Sequence, residues 1–246
     1  MPDPDTPPRL LDLGDTALTV EFGTALDPAL MARVLALEAA LARARLPGVT
    51  ETVPTFRSLT ILYDPDQLPR EALAARLADL LDSPAAAPTP GRHWRLPVCY
   101  GGEAGPDLAS VAARCQLPQE AVIRLHAGTD FRVYMLGFLP GFPFLGDLPP
   151  ALHLPRRPEP RLRVPAGSVA IATGLSAIYP WESPGGWHLI GHSPIPLFDA
   201  SRAAPALLAP GDLVRFRPVS PAEATTIAAD LARGRLAPDS FLETQP

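Results

Sequence analysis

Apolar positions change their period along this chain, and the changes outline two domains. In segments 9–13 and 17–22 they form two short runs split by Gly14-Asp15, which predict a pair of strands. Leu30, Val34, Leu37 and Leu41 then recur at helical spacing, so one stripe of a helix faces a core. Asp27-Pro28 offers a capping side chain and a preset φ for its first turn, and Pro47-Gly48 ends it. Segments 49–53 and 58–63 predict two more strands, and Leu73, Leu77 and Leu80 a second helix over about 69–81. The order β-β-α-β-β-α predicts a small α/β domain over 1–84, with both helices on one face of its sheet.

The Pro- and Ala-rich stretch SPAAAPTPG at 83–91 has the composition of a linker, bounded at 85–92. A second domain, 93–246, opens with a strand over 93–100. Two short helices are predicted over about 107–115 and 118–126, the first facing inward through Leu108, Val111 and Ala112, and a strand over 131–136. Near the carboxyl end, segment 213–217 predicts a strand, and Ser220-Pro221-Ala222-Glu223 is a capping box that starts a helix. Between them, residues 137–199 hold twelve prolines and eight glycines in 63 positions, interrupted by runs of Val, Ile, Ala, Leu, Phe and Trp. A disordered linker has no core to fill and lacks such runs. Short strands joined by rigid, individually shaped turns explain both features, and that surface suits close approach of a ligand or partner.

Composition narrows the function. A net charge of −5 offers no basic face for nucleic acid and no polybasic patch for a membrane. No run of apolar residues is long enough to span a bilayer, and MPDPDTPPR is no signal peptide, so a cytoplasmic location is expected. All 21 basic residues are arginine; lysine and asparagine are absent. That excludes a Schiff-base lysine and a P-loop. Cys99 and Cys115 lack metal-ligand spacing and read as small buried hydrophobes. His93, His153 and His188 have no partner spacing either, and no metal site is expected.

The strings GFLPGFPFLG, PRxxxPRxxVPAGSVAIA, IYPxESPGGWxLIG and SPxxLFD occur in order within 137–199. With GDTALTVEFG, VPTFRSLTILYDP, LPVCYGGEAGPDL and LPQEAVIRLHAGTDFRVYMLGF upstream, the chain resembles the family of 5-oxoprolinase subunit PxpB, the kinase inhibitor KipI and allophanate hydrolase subunit 1. The resemblance spans about residues 9–217. It implies an α+β fold in which the small α/β domain precedes a cyclophilin-like β-barrel. It also implies a PxpC- or KipA-like partner and a PxpA-like chain. The implied activity is ATP-dependent conversion of 5-oxo-L-proline to L-glutamate, with ATP used by the complex rather than held by this chain alone. The alternatives are inhibition of a histidine kinase and an allophanate hydrolase role. Two strings depart from the family pattern. Thr173-Gly174-Leu175-Ser176-Ala177 stands for Gly-Gly-x-Thr-Gly, and Ile190-Gly191-His192-Ser193-Pro194 for Ile-Gly-Arg-Thr-Pro.

The residue types suggest where chemistry lies. Arg156 and Arg161, held among prolines, suit a carboxylate or phosphate, with structural ion pairs as the alternative. Ser168 stands outside any nucleophile elbow and reads as a turn hydroxyl or a substrate contact. Tyr179, Gly185, Gly186 and Trp187 form a substrate-binding set in which glycines allow close backbone approach and Trp187 supplies an apolar wall. Glu182 and His192 are the candidates for proton transfer, provided that folding brings them together. Phe138, Phe142 and Phe144 are either core or a partner interface.

Overall fold

The computed structural model describes residues 7–82 and 91–243. The predicted linker lies mostly in 83–90, outside the described residues. Contacts divide the chain into two units, Met1–Pro90 and Gly91–Pro246.

In the first unit, β1 (Arg9–Asp12), β2 (Ala17–Glu21), β3 (Val49–Pro54) and β4 (Ser58–Tyr63) form an antiparallel sheet of order β1-β2-β4-β3. Helices α1 (Pro28–Ala44) and α2 (Arg70–Asp82) cover it. The Asp27 side chain accepts the Ala29 amide at 2.7 Å, with Pro28 in the first turn. Along β4 the period of two is plain: Leu59, Ile61 and Tyr63 are buried, while Ser58, Thr60 and Leu62 are half-buried. The buried set joins Leu18, Val20, Leu30, Val34, Leu37, Leu41, Leu73 and Leu77 in one core. Burial of each such side chain is worth roughly 1.5–3 kcal/mol.

The second unit contains β5 (His93–Tyr100), α3 (Leu108–Arg114), α4 (Gln119–Ala127), β6 (Asp130–Leu136), β7 (Pro143–Leu145), β8 (Arg161–Val164) and β9 (Ser168–Ala172). After these come β10 (Leu175–Ile178), β11 (Ser183–Gly185), β12 (His188–His192), β13 (Leu213–Pro218), α5 (Pro221–Ala232) and β14 (Leu242–Glu243). Seven strands in the order β12-β9-β10-β7-β6-β13-β5 close into a barrel, because β12 returns to β5 at Gly191↔Tyr100 and His192↔Cys99. Closure leaves these seven no free edge. Strand β13 runs parallel to β5, and β14 adds to the start of β5. Strands β8 and β11 stand apart as a two-stranded ribbon. Leu96, Val98, Phe131, Val133, Leu145, Val169, Ile171, Ile178, Ile190 and Val214 fill the barrel core. Ser220 accepts the Glu223 amide at 3.1 Å as the capping box requires. Cys99 and Cys115 are free thiols, the first buried.

Candidate functional site

The Pro/Gly-rich segment places its aromatic rings beside the barrel core, as a second cluster. In β7, Leu145 enters the core, while Phe144 beside it lies against Trp187 at 6.1 Å between ring centroids. Phe142 is the hub, 5.0 Å from Phe144 and 5.0 Å from Tyr179, the latter edge to face at 86°. Phe142, Tyr179 and Trp187 are buried, but Phe138 is 66% exposed. The rings floor a pocket of about 350 Å³ whose walls include Pro160, Pro184, Gly185 and Gly186, with Arg156 among them. Eight residues expected for binding or interface, Phe138, Phe142, Phe144, Arg156, Tyr179, Gly185, Gly186 and Trp187, thus line one cavity.

The two glycines differ. A Cβ on Gly185 would meet the Tyr179 hydroxyl at 2.4 Å, whereas one on Gly186 would meet Pro160 at an ordinary 3.6 Å. Gly185 is therefore required by Tyr179, and Gly186 leaves open wall.

Charge at the rim is organised by a residue absent from the expected set. Asp107, 5% exposed, accepts from Arg161 Nη1 and Nη2 at 2.9 and 2.8 Å, from Arg157 Nη1 at 3.1 Å and from the Leu189 amide at 2.7 Å. Burial pushes its carboxyl up, but the Arg161 and Leu189 hydrogen bonds and the two guanidinium charges outweigh this and hold it below the usual carboxylate range. Arg161 is thereby spoken for as a bidentate ion pair. Arg156 has no carboxylate partner among the described residues. Burial pushes the Tyr179 phenol up, opposed by the Arg156 and Arg161 charges.

Ser168, Glu182 and His192 are not among the pocket-lining residues. Ser168 is buried at the start of β9, opposite His192 in the register. Glu182 is exposed and accepts from Arg163 Nε at 2.9 Å. His192 Nε2 lies 3.0 Å from the Ala166 carbonyl. A carbonyl only accepts, so Nε2 carries the hydrogen. Burial lowers the His192 pKa, against that hydrogen bond. Proton-transfer candidates Glu182 and His192 therefore each face a separate structural partner.

A different buried chain crosses the barrel interior. Tyr100 Oη lies 2.7 Å from His126 Nδ1, His126 Nε2 2.9 Å from Ser176 Oγ, and Ser176 Oγ 3.2 Å from the Ala170 carbonyl. Because that carbonyl takes the serine hydrogen, Ser176 accepts from Nε2–H and Nδ1 accepts from the phenol. His126 is fully buried and stacked on Phe216 at 4.7 Å, and burial lowers its pKa to about 3. Ser176 replaces the family's threonine and keeps its hydroxyl. Among the described residues no three His, Cys, Asp or Glu side chains cluster to hold a metal, and no helix is long and apolar enough to cross a membrane.

Comparison with known proteins converges on one family. The carboxyltransferase domain, subdomain C and D, matches residues 8–208. The chain is 44% identical to a 5-oxoprolinase subunit of Escherichia coli O157:H7 over 84% of its own length and 94% of that protein. The crystal structure of TTHA0988 is 44% identical, with a TM-score of 0.76, over 83% of this chain. There the chain spans 40% of the longer polypeptide. The Kluyveromyces lactis urea amidolyase, 22% identical with a TM-score of 0.78, shares the fold over 96% of this chain and 16% of its own length.

Proposed function

The chain belongs to the family of the carboxyltransferase domain, subdomain C and D, and from that membership we propose that it is the PxpB-type component of an ATP-dependent 5-oxoprolinase. Its reaction is the opening of 5-oxo-L-proline to L-glutamate, together with PxpC-like and PxpA-like chains in the cytoplasm. The observation that carries this reading is Arg156, a guanidinium without a carboxylate partner at an aromatic pocket of about 350 Å³. 5-Oxoproline is a small ring bearing one carboxylate. A guanidinium pairs with such a group through two parallel hydrogen bonds, and the rings of Phe142, Phe144 and Trp187 offer apolar walls to the lactam. The relatives named as 5-oxoprolinase subunits supply the reaction to which this pocket belongs.

In this scheme ATP activates the lactam oxygen and is held outside this chain, which has neither lysine nor a P-loop. This chain binds and orients the ring, and Tyr179 presents its phenol at the same wall. The isolated chain is inactive. A chain that accounts for 40% of a longer relative is expected to work against a second module, and the exposed Phe138 and Trp181 side chains give that module apolar anchors.

The test is glutamate release from 5-oxoproline and ATP by this chain co-purified with its PxpC-like and PxpA-like partners, with each component omitted in turn. Activity that requires all three chains is the expected result. A folded three-chain complex without turnover would overturn the reading and leave the kinase-inhibitor alternative, for which the exposed Phe138 face is the docking candidate.

A further inference from the structure

Resting on the reading of this pocket as the 5-oxoproline site, we propose that Asp107 is its positioning residue. It fixes the loop that carries Arg156 and absorbs the two neighbouring guanidiniums, so that one preorganised cation meets the substrate carboxylate.

The geometry starts at the barrel seam. Strand β12 pairs with β5 only at Gly191 and His192. One step away, Asp107 takes over as partner of Leu189: its amide donates to the Leu189 carbonyl at 2.9 Å and its carboxylate accepts the Leu189 amide at 2.7 Å. Asp107 thus brackets Leu189 as a neighbouring strand would, and its carboxylate is anchored to the barrel. It precedes α3 but makes no side-chain cap to that helix. Its free lone pairs go to Arg157 and Arg161 instead.

Those contacts converge on Arg156. Arg157 is held by Asp107 through its side chain and by the Gly186 carbonyl through its amide, at 2.7 Å. On the other side, the Pro155 carbonyl accepts from His188 Nε2 at 2.9 Å and the Leu154 carbonyl accepts the Thr173 amide at 2.7 Å. The backbone is therefore fixed before and after Arg156, while the Arg156 guanidinium has no carboxylate partner among the described residues. Without Asp107, Arg157 and Arg161 lose the acceptor that holds them, and the loop loses one of its anchors. Affinity gained by preorganisation is lost when the supporting groups are released.

The experiment titrates 5-oxoproline and the neutral lactam 2-pyrrolidone into wild-type, D107N and R156Q chains, and measures KM and kcat in the three-chain complex. Asparagine keeps an acceptor for the Leu189 amide but removes the charge that binds the arginines. D107N and R156Q are each expected to weaken 5-oxoproline about tenfold or more, the scale of one charge-assisted contact. Neither is expected to move 2-pyrrolidone. KM rises while kcat stays within about twofold, and the double variant is no worse than R156Q because both act on one interaction. Weakening of both ligands alike, retained 5-oxoproline binding in D107N, or additive losses would overturn the proposal while leaving the pocket reading intact. A wild-type complex that turns over but loses nothing on R156Q would remove the pocket reading and the proposal together. Should D107N not fold, R157Q is scored by the same criteria, since it leaves Asp107 paired with Arg161.

Discussion

Two polar networks in the barrel unit differ in how they end. The Tyr100–His126–Ser176 chain terminates on the Ala170 carbonyl, and each of its hydrogens meets an acceptor. The Asp107 network is also anchored in buried backbone, through Leu189, but opens outward to Arg157, Arg161 and the loop bearing Arg156. His126 has the more displaced pKa, about 3, and yet the less available chemistry, since the ring is fully buried and both nitrogens are occupied. A perturbed pKa marks burial as readily as function. An unpaired cation facing a cavity is the more informative sign.

The largest effect that tests this contrast is on the closed chain. His126→Ala removes a stacked ring and orphans the Tyr100 and Ser176 hydroxyls, so stability falls by about 3–5 kcal/mol in chemical denaturation. Binding of 5-oxoproline by the fraction still folded is expected to be unchanged. A selective loss of ligand affinity would join the two networks into one.

Next in size is acid sensitivity. His126 titrates near 6.5 when unfolded and at about 3 when folded, so the unfolded chain binds the extra proton in that window. Stability is fully present above the unfolded value and is lost as pH falls from about 6.5 toward 3, at up to about 1.4 kcal/mol per pH unit. The readout is the difference between wild type and His126→Gln in denaturation midpoints across that range; Gln cannot charge, and its slope is expected to be shallower.

At the open site the expected effects are smaller and more local. A methyl on Gly185 collides with the Tyr179 hydroxyl 2.4 Å away, whereas one on Gly186 finds ordinary contact at 3.6 Å. Gly185→Ala is expected to cost about 1–3 kcal/mol of stability by overpacking and to displace the phenol from the pocket wall. Gly186→Ala is expected to stay within about 0.5 kcal/mol. Calorimetry of both variants, with and without 5-oxoproline, measures the pair; equal effects would show that Tyr179 does not set the wall. The smallest change belongs to Glu182→Gln, which breaks an exposed pair with Arg163 and is expected to alter stability by under about 1 kcal/mol. A collapse of kcat in that variant would instead restore Glu182 to proton transfer.

Much of the fold was legible because its signals are local. The Asp27-Pro28 and Ser220-Pro221 helix starts are built from neighbouring residues. The alternation of β4 and the stripe of α1 need no knowledge of what they pack against. Part of the site was legible for a related reason: rigid turns and aromatic rings crowd one stretch, and those rings do line the cavity. What could not be read was the fate of each charge. Arg156 and Arg161 stand five positions apart in similar proline-rich surroundings, but one faces the pocket and the other is clamped by Asp107. Asp107 itself reads as the first residue of a helix, and only its place in the string LPVCYGGEAGPDL hinted at more. Ser168, Glu182 and His192 carried suitable chemistry without a signal of which neighbour each would meet.

Element order, apolar faces, capped helix starts and family all follow from the order of residues alone, since each depends on neighbours in the chain or on motif strings in sequence. Which titratable groups are satisfied, and which is left open, was settled only by folding. The outcome depends on partners 50 to 82 positions distant, such as Asp107 with Arg157 and with Leu189, which barrel closure brings within hydrogen-bond reach. Hydrogen bonds and ion pairs act over a few ångströms of space, whatever the separation along the chain.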